Sequence, residues 1–116
     1  MVELVVALFF AGMGLYALTA PATMVRPFGV TLATATARAE VRAVYGGFGV
    51  AIAAVLVYAS RVPEARTGVL ITVGVALAGM AVGRVVSVFD GRTPFYPNWF
   101  YCLVEAVAAA ALFGAV

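Results

Sequence analysis

The sequence predicts an all-α integral membrane protein, an antiparallel four-helix bundle. Of its 116 residues, 66% are hydrophobic and 10% are charged, against about 45–50% and about 25% in soluble domains. A soluble domain of this size cannot bury so much apolar surface. The apolar residues also form continuous runs rather than the alternating pattern of a membrane barrel. Helices are then the way to satisfy the backbone in lipid.

Four apolar runs approach or exceed the ~18–20 residues that cross a bilayer core. We expect them to form one transmembrane domain over residues 1–116, with helices at about 2–20, 37–60, 68–89 and 98–115. The first run ends before Pro21, which cannot continue helical hydrogen bonding. Thr34 or Thr36 is a candidate N-cap for the second run.

The third run has Thr67 as its candidate cap and ends at Asp90-Gly91, where glycine suits a left-handed turn. The fourth run begins after Pro94 and Pro97. Aromatic residues gather where it enters the membrane, as is common at the lipid–water interface; they are Phe95, Tyr96, Trp99, Phe100 and Tyr101.

Several kinds of chemistry lack their usual residues. The chain has no histidine and one cysteine, Cys102, so it predicts no metal site and no paired-thiol redox centre. Its seven arginines are scattered and it has no lysine, which argues against nucleic-acid binding. No phosphate-binding glycine loop is present. We expect no cofactor and no catalytic residue, and an enzyme is the least supported class.

Three charged residues lie a full turn or more from either end of their run: Arg42, Arg84 and Glu105. In an antiparallel bundle their depths match, so all three lie in the same half of the bilayer. Tyr45 is three residues after Arg42, and Ser87 is three residues after Arg84, so each pair shares a helix face. The sequence therefore predicts a buried polar cluster that could bind a ligand, formed by Arg42, Tyr45, Arg84, Ser87 and Glu105.

The predicted cluster carries a surplus positive charge, since two arginines face one glutamate. An anionic head group would balance it, because the guanidinium fork suits carboxylate or phosphate. The alternative is that Arg–Glu pairs only fix helix register, since a charge in the bilayer costs ~3 kcal/mol or more unless paired. Glu3 is expected to be an interfacial acid near the opposite surface.

Glycines form a second pattern within the runs. Small residues allow helix backbones to approach closely in membranes, where the hydrophobic effect does not drive packing. We expect these glycines to pack helices within the bundle, with a homo-oligomer interface as the alternative; they are Gly46, Gly47, Gly49, Gly79 and Gly83.

Ordered short motifs run through the chain: Glu40-Val41-Arg42-Ala43-Val44-Tyr45-Gly46-Gly47, Gly83-Arg84-Val85-Val86-Ser87, Asp90-Gly91 and Glu105. With them, the chain resembles a family of small bacterial four-helix membrane proteins catalogued as a domain of unknown function, and is similar to the DoxX-like group. The resemblance implies the fold and a location in the bacterial cytoplasmic (inner) membrane. It implies no activity.

Three functions remain open. The cluster could bind an anionic or amphipathic small molecule such as a membrane lipid. The chain could instead be a structural or accessory subunit that packs against another copy or within a larger membrane complex. A transporter or channel would need an oligomer, because four short helices leave little room for a pore.

Overall fold

The computed structural model describes residues 1–116 and contains only helices and their connections. Four helical segments are long and apolar enough to cross a membrane, so the chain is an all-α integral membrane protein; these spans are Val2–Thr19, Ala35–Arg61, Pro63–Phe89 and Phe95–Ala115. The chain divides into an N-terminal unit, Glu3–Arg61, and a C-terminal unit, Val62–Val116. Each unit contains two spans.

The first span of the N-terminal unit is α1, Val2–Thr19. It ends where expected, because Ala20 leaves the helical conformation and Pro21 then opens the short helix α2, Pro21–Val25. Proline is favoured in that first position because no intrahelical partner is lost. A 3₁₀ turn, Arg26–Phe28, follows.

The second span combines three segments. Helix α3, Ala35–Val41, is capped by Thr34, whose hydroxyl accepts a hydrogen bond from the Ala37 N–H at 3.0 Å. Thr34 is thus the cap and Thr36 is not. A π-helical stretch, Arg42–Gly47, follows, and α4, Phe48–Arg61, completes the span.

Glycine contacts bring α1 and the second span together in antiparallel order. A Cβ at Gly14 would lie 2.8 Å from the Gly46 carbonyl oxygen, and one at Gly49 would lie 3.1 Å from the Phe10 oxygen. A Cβ at Gly46 would meet the Leu18 side chain at 2.8 Å. Only glycine permits this approach. Gly46 and Gly49 therefore pack helices as expected, whereas the nearest atom to a Cβ at Gly47 is 3.8 Å away.

A small hydrophobic cluster holds the connection between these spans against them. Ala17, Val25 and Val41 are buried together, one from each of α1, α2 and α3, with Met24 and Leu32 packed against them. Burial of these side chains fixes the connection at one end of the N-terminal unit, here called the connection end. Arg26 and Arg42 lie at this end, because each directly follows a residue of the cluster.

The C-terminal unit pairs α5, Pro63–Val86, with α6, Phe100–Ala115. Their contacts run in antiparallel order. The Arg66 Nη1 donates to the Ala115 carbonyl at 2.8 Å, and a Cβ at Gly74 would lie 2.7 Å from the Phe113 ring. Farther along, the Cys102 thiol is 3.6 Å from the Ala81 carbonyl oxygen.

Between these helices lie a 3₁₀ turn, Ser87–Phe89, and a wide turn, Phe95–Trp99. Within the second turn Tyr96 is extended, as is common before proline. Rings from the expected aromatic cluster are in contact here, with centroid distances of 5.7 Å for Tyr96–Phe100 and 5.1 Å for Phe100–Tyr101.

Several helix ends differ from the sequence expectation. The second span begins at Ala35 rather than 37. The third begins at Pro63 rather than 68, because Pro63 takes the first helical position. Thr67 therefore lies inside the helix, and the prediction that it caps this span is wrong. The fourth begins at Phe95 rather than 98.

The prediction of a left-handed turn at Gly91 is wrong. Gly29 is the glycine with a positive φ, at 75°, and the φ of Gly91 is not positive. After α5 the chain instead tightens into the 3₁₀ turn, where the Asp90 N–H donates to the Ser87 carbonyl at 3.0 Å. Gly29 ends the 3₁₀ turn Arg26–Phe28, where a side chain would be strained.

Candidate functional site

The strongest polar contact of the C-terminal unit joins Arg84 and Glu105. Arg84 Nε donates to Glu105 Oε1 at 2.7 Å, and Nη2 donates to Oε2 at 3.0 Å. The two parallel bonds form the bidentate arrangement in which arginine binds a carboxylate most strongly. The side chains are 23% and 5% exposed. Their positions in the sequence predict a common depth for both residues, and the structure brings them into direct contact.

Neighbouring groups occupy the rest of the Arg84 side chain. Arg84 Nη1 donates to Asn98 Oδ1 at 3.4 Å, and Asn98 Nδ2 donates to Thr93 Oγ1 at 3.3 Å. The Tyr101 ring lies 5.8 Å from Arg84 Cζ, within cation–π range. All three nitrogens of this guanidinium therefore have partners.

These contacts limit what Arg84 can do. Its charge is balanced by Glu105, and its fork is filled by protein oxygens, so an incoming anion would have to displace a buried carboxylate. Losing one partner of a buried ion pair is costly. Within the C-terminal unit the pair fits the register-fixing role that the sequence analysis left open.

Arg42 lies in a different environment. It opens the π-helical stretch of the second span and is exposed. Its Nε donates to the Leu18 carbonyl at 3.0 Å, which is one of the last carbonyls of α1. Cations are favoured at a helix C-terminus, where the carbonyls lack intrahelical partners. This bond orients the guanidinium and leaves both Nη atoms without a partner in the chain.

The two remaining residues of the predicted cluster are exposed. Tyr45 is in the π-helical stretch and is 39% exposed. Ser87 opens the 3₁₀ turn after α5. Arg42 and Tyr45 belong to the N-terminal unit, whereas Arg84, Ser87 and Glu105 belong to the C-terminal one. A single five-residue cluster stays a prediction.

Comparison with known families gives a match over the whole chain. A family model described as "Domain of unknown function (DUF4345)" matches residues 1–116. The chain belongs to this family. The DUF4345 match covers every residue discussed above. No curated protein and no solved structure matches the chain.

Sequence reasoning missed several features of this DUF4345 chain. Asn98 and Thr93 extend the Arg84 network. Asn98 lies in the first turn of the fourth span and Thr93 just before it, and nothing else in the sequence marks them. Glu3 was expected at the interface but is 4% exposed, with its carboxylate 3.2 Å from the N-terminal ammonium. Gly74, which faces Phe113, is a further missed residue, because no glycine lies four residues before or after it.

Proposed function

We propose that this protein binds an anionic amphiphile, and that Arg42 contacts its head group. The observation that carries the proposal is an exposed guanidinium, inside a membrane span, oriented by one backbone carbonyl and with both Nη atoms without a partner. A head group with anionic oxygens supplies the acceptors that Arg42 lacks.

The charge balance supports Arg42 rather than Arg84 as the ligand contact. The surplus charge expected from the sequence falls on Arg42, because Arg84 and Glu105 neutralise each other. Uncompensated charge within a bilayer costs ~3 kcal/mol on insertion scales. An anion at Arg42 would remove that cost.

The depth of Arg42 also suits a head group. At 1.5 Å per residue, the 27-residue second span is about 40 Å long, and Arg42 lies about 10 Å from its first residue. A bilayer with its polar regions is about 40–45 Å thick, so this distance supports contact between Arg42 and a lipid head group. The acyl chains would then lie along the apolar surface of the span.

Native mass spectrometry of the purified full chain tests the proposal. Phosphatidylglycerol and phosphatidylcholine with identical acyl chains are titrated into wild type and Arg42→Gln. We expect the wild type to retain phosphatidylglycerol at lower concentrations than phosphatidylcholine, and Arg42→Gln to lose this preference. Equal retention of the two lipids by the wild type would refute the proposal.

Arg61→Gln is the matched control. Arg61 is an exposed arginine at the other end of the same span, so the substitution makes the same charge change away from Leu18. The control should keep the wild-type preference. If Arg61→Gln and Arg42→Gln lose it equally, the lipid responds to net charge and Arg42 is not its site.

A second candidate is self-association, supported by Gly79 and Gly83. A Cβ at either position would meet no heavy atom within 4 Å, so neither serves the helix contacts within the bundle that the sequence analysis expected. Their spacing is the small-xxx-small pattern through which membrane helices approach each other. Light scattering in mild detergent should then give a dimer mass for the wild type and a monomer mass for Gly83→Leu.

A further inference from the structure

The connection end of the N-terminal unit holds a second arginine beside Arg42. The Arg42 N–H donates to the backbone carbonyls of Arg38 and Ala39, so the Arg38–Arg42 step is one helical turn and the two side chains share a face. Arg38 lies nearer the start of the span and Arg42 lies one turn deeper.

We infer that the Arg42 site takes a phosphate monoester head group, held between Arg38 and Arg42. This inference rests on the proposed function, since it names the ligand class for the same site. Each arginine is tied to the backbone by one hydrogen bond. Arg42 Nε reaches the Leu18 carbonyl at 3.0 Å, and Arg38 Nη1 makes a longer contact of 3.5 Å with the Leu32 carbonyl.

The number of remaining donors favours a phosphate monoester. A guanidinium has five N–H donors, so after these single bonds the two arginines retain eight between them. A phosphate monoester offers three terminal oxygens, whereas a phosphodiester or a carboxylate offers two. The extra oxygen allows both arginines to bind at once, and a bidentate fork matches each pair of oxygens.

Charge at this end of the unit points the same way. Arg26 follows Val25 of the hydrophobic cluster, as Arg42 follows Val41, so the backbones of Arg26, Arg38 and Arg42 all lie at this end of the unit. The nearby acid is Glu40, two residues from both Arg38 and Arg42, and residues two apart on a helix do not face each other. The local surplus is therefore two positive charges, which suits the −1.5 to −2 charge that a phosphate monoester carries at about neutral pH.

The test compares two probes with identical acyl chains on the full-length protein: phosphatidic acid and phosphatidylglycerol. We expect the wild type to bind phosphatidic acid about tenfold more tightly than phosphatidylglycerol, the effect of roughly one charge-assisted hydrogen bond. Arg38→Gln should remove that difference and leave phosphatidylglycerol binding unchanged. Arg61→Gln should behave as the wild type.

The outcomes separate this inference from the proposed function. If the wild type binds phosphatidic acid and phosphatidylglycerol equally and Arg42→Gln loses both, the inference is overturned and the proposed function stands. If no anionic lipid binds, both are overturned. Because the comparison of probes uses the wild type, it decides the matter even if Arg38→Gln fails to fold.

A competition arm identifies the source of the phosphate group. Excess inorganic phosphate is added to the complex with phosphatidic acid. We expect no displacement, because the acyl chains contribute to binding. If inorganic phosphate alone displaces phosphatidic acid, the ligand is a free phosphate group and not a lipid. That result would still support a phosphate site formed by Arg38 and Arg42.

Discussion

At the scale of single residues, the three charged side chains that lie deepest in the apolar runs fall into two different environments. Arg84 and Glu105 satisfy each other through two hydrogen bonds of 2.7 and 3.0 Å. Arg42 binds a backbone carbonyl and keeps its charge unbalanced. The first arrangement stabilises a helix pair, and the second leaves a group available to a ligand.

Removing the carboxylate of the ion pair should destabilise the protein. Glu105→Gln leaves Arg84 charged and partly buried without its counter-charge, so we expect the free energy of unfolding to fall by about 3 kcal/mol. Unfolding in mixed micelles, followed by circular dichroism, measures the change. Glu64→Gln, which alters an exposed acid in the first turn of the same α5 helix, should have little effect.

The double variant Arg84→Met/Glu105→Leu tests whether Glu105→Gln destabilises the protein by leaving the Arg84 charge without its partner. Replacing both partners by apolar residues removes the buried charges together, so most of the lost stability should return. A double variant less stable than Glu105→Gln would show that the pair contributes more than mutual charge compensation.

At the scale of elements, glycine determines how closely α1 approaches the second span. The two closest contacts of a Cβ at Gly14 are with backbone atoms, the Gly46 oxygen and the Val50 nitrogen, each at 2.8 Å, and the Val50 Cγ2 follows at 2.9 Å. Backbone atoms cannot move aside as a flexible side chain can. The separation of the two helices is therefore set by the absence of a side chain at this position.

Matched alanine substitutions test this difference between glycines. Gly14→Ala should lower the free energy of unfolding by about 1–3 kcal/mol, because the added methyl overpacks a tight contact. Gly12→Ala, on the same helix, should leave it unchanged or raise it by up to about 1 kcal/mol, because a Cβ there would meet no heavy atom within 4 Å and alanine favours helix. Equal losses in the two variants would contradict a specific contact at Gly14.

At the scale of the whole molecule, four spans fix which connections share a side of the membrane. The tight connection between Arg61 and Pro63, with the first turn of α5 beside it, should lie opposite the 20–34 and 90–94 connections. In a Cys102→Ala background, Thr31→Cys and Arg92→Cys should be labelled by an impermeant maleimide from one side of sealed vesicles, and Glu64→Cys from the other. Labelling of all three from one side would contradict four spans.

The sequence indicated where the spans lie more reliably than where they begin. Composition and run length identify each span because the bilayer demands about 20 apolar residues. The ends depend on local geometry that residue type leaves open. Pro63 could end a loop or open a helix, and it opens one; Gly29 and Gly91 both suit a left-handed turn, but Gly29 adopts it.

The candidate site shows the same division. Hydropathy determines that the chain belongs in lipid, because the length of each apolar run follows from positions along the chain. The rise of a helix predicts that Arg42, Arg84 and Glu105 lie at similar depth, and this stays a prediction. Tertiary structure alone decided which charges are compensated. Pairing depends on the rotation of each helix about its axis and on close approaches such as Gly14 to Gly46, which arise when helices pack together. Two bonds follow from that packing, one from Arg84 to Glu105 and one from Arg42 to the Leu18 carbonyl.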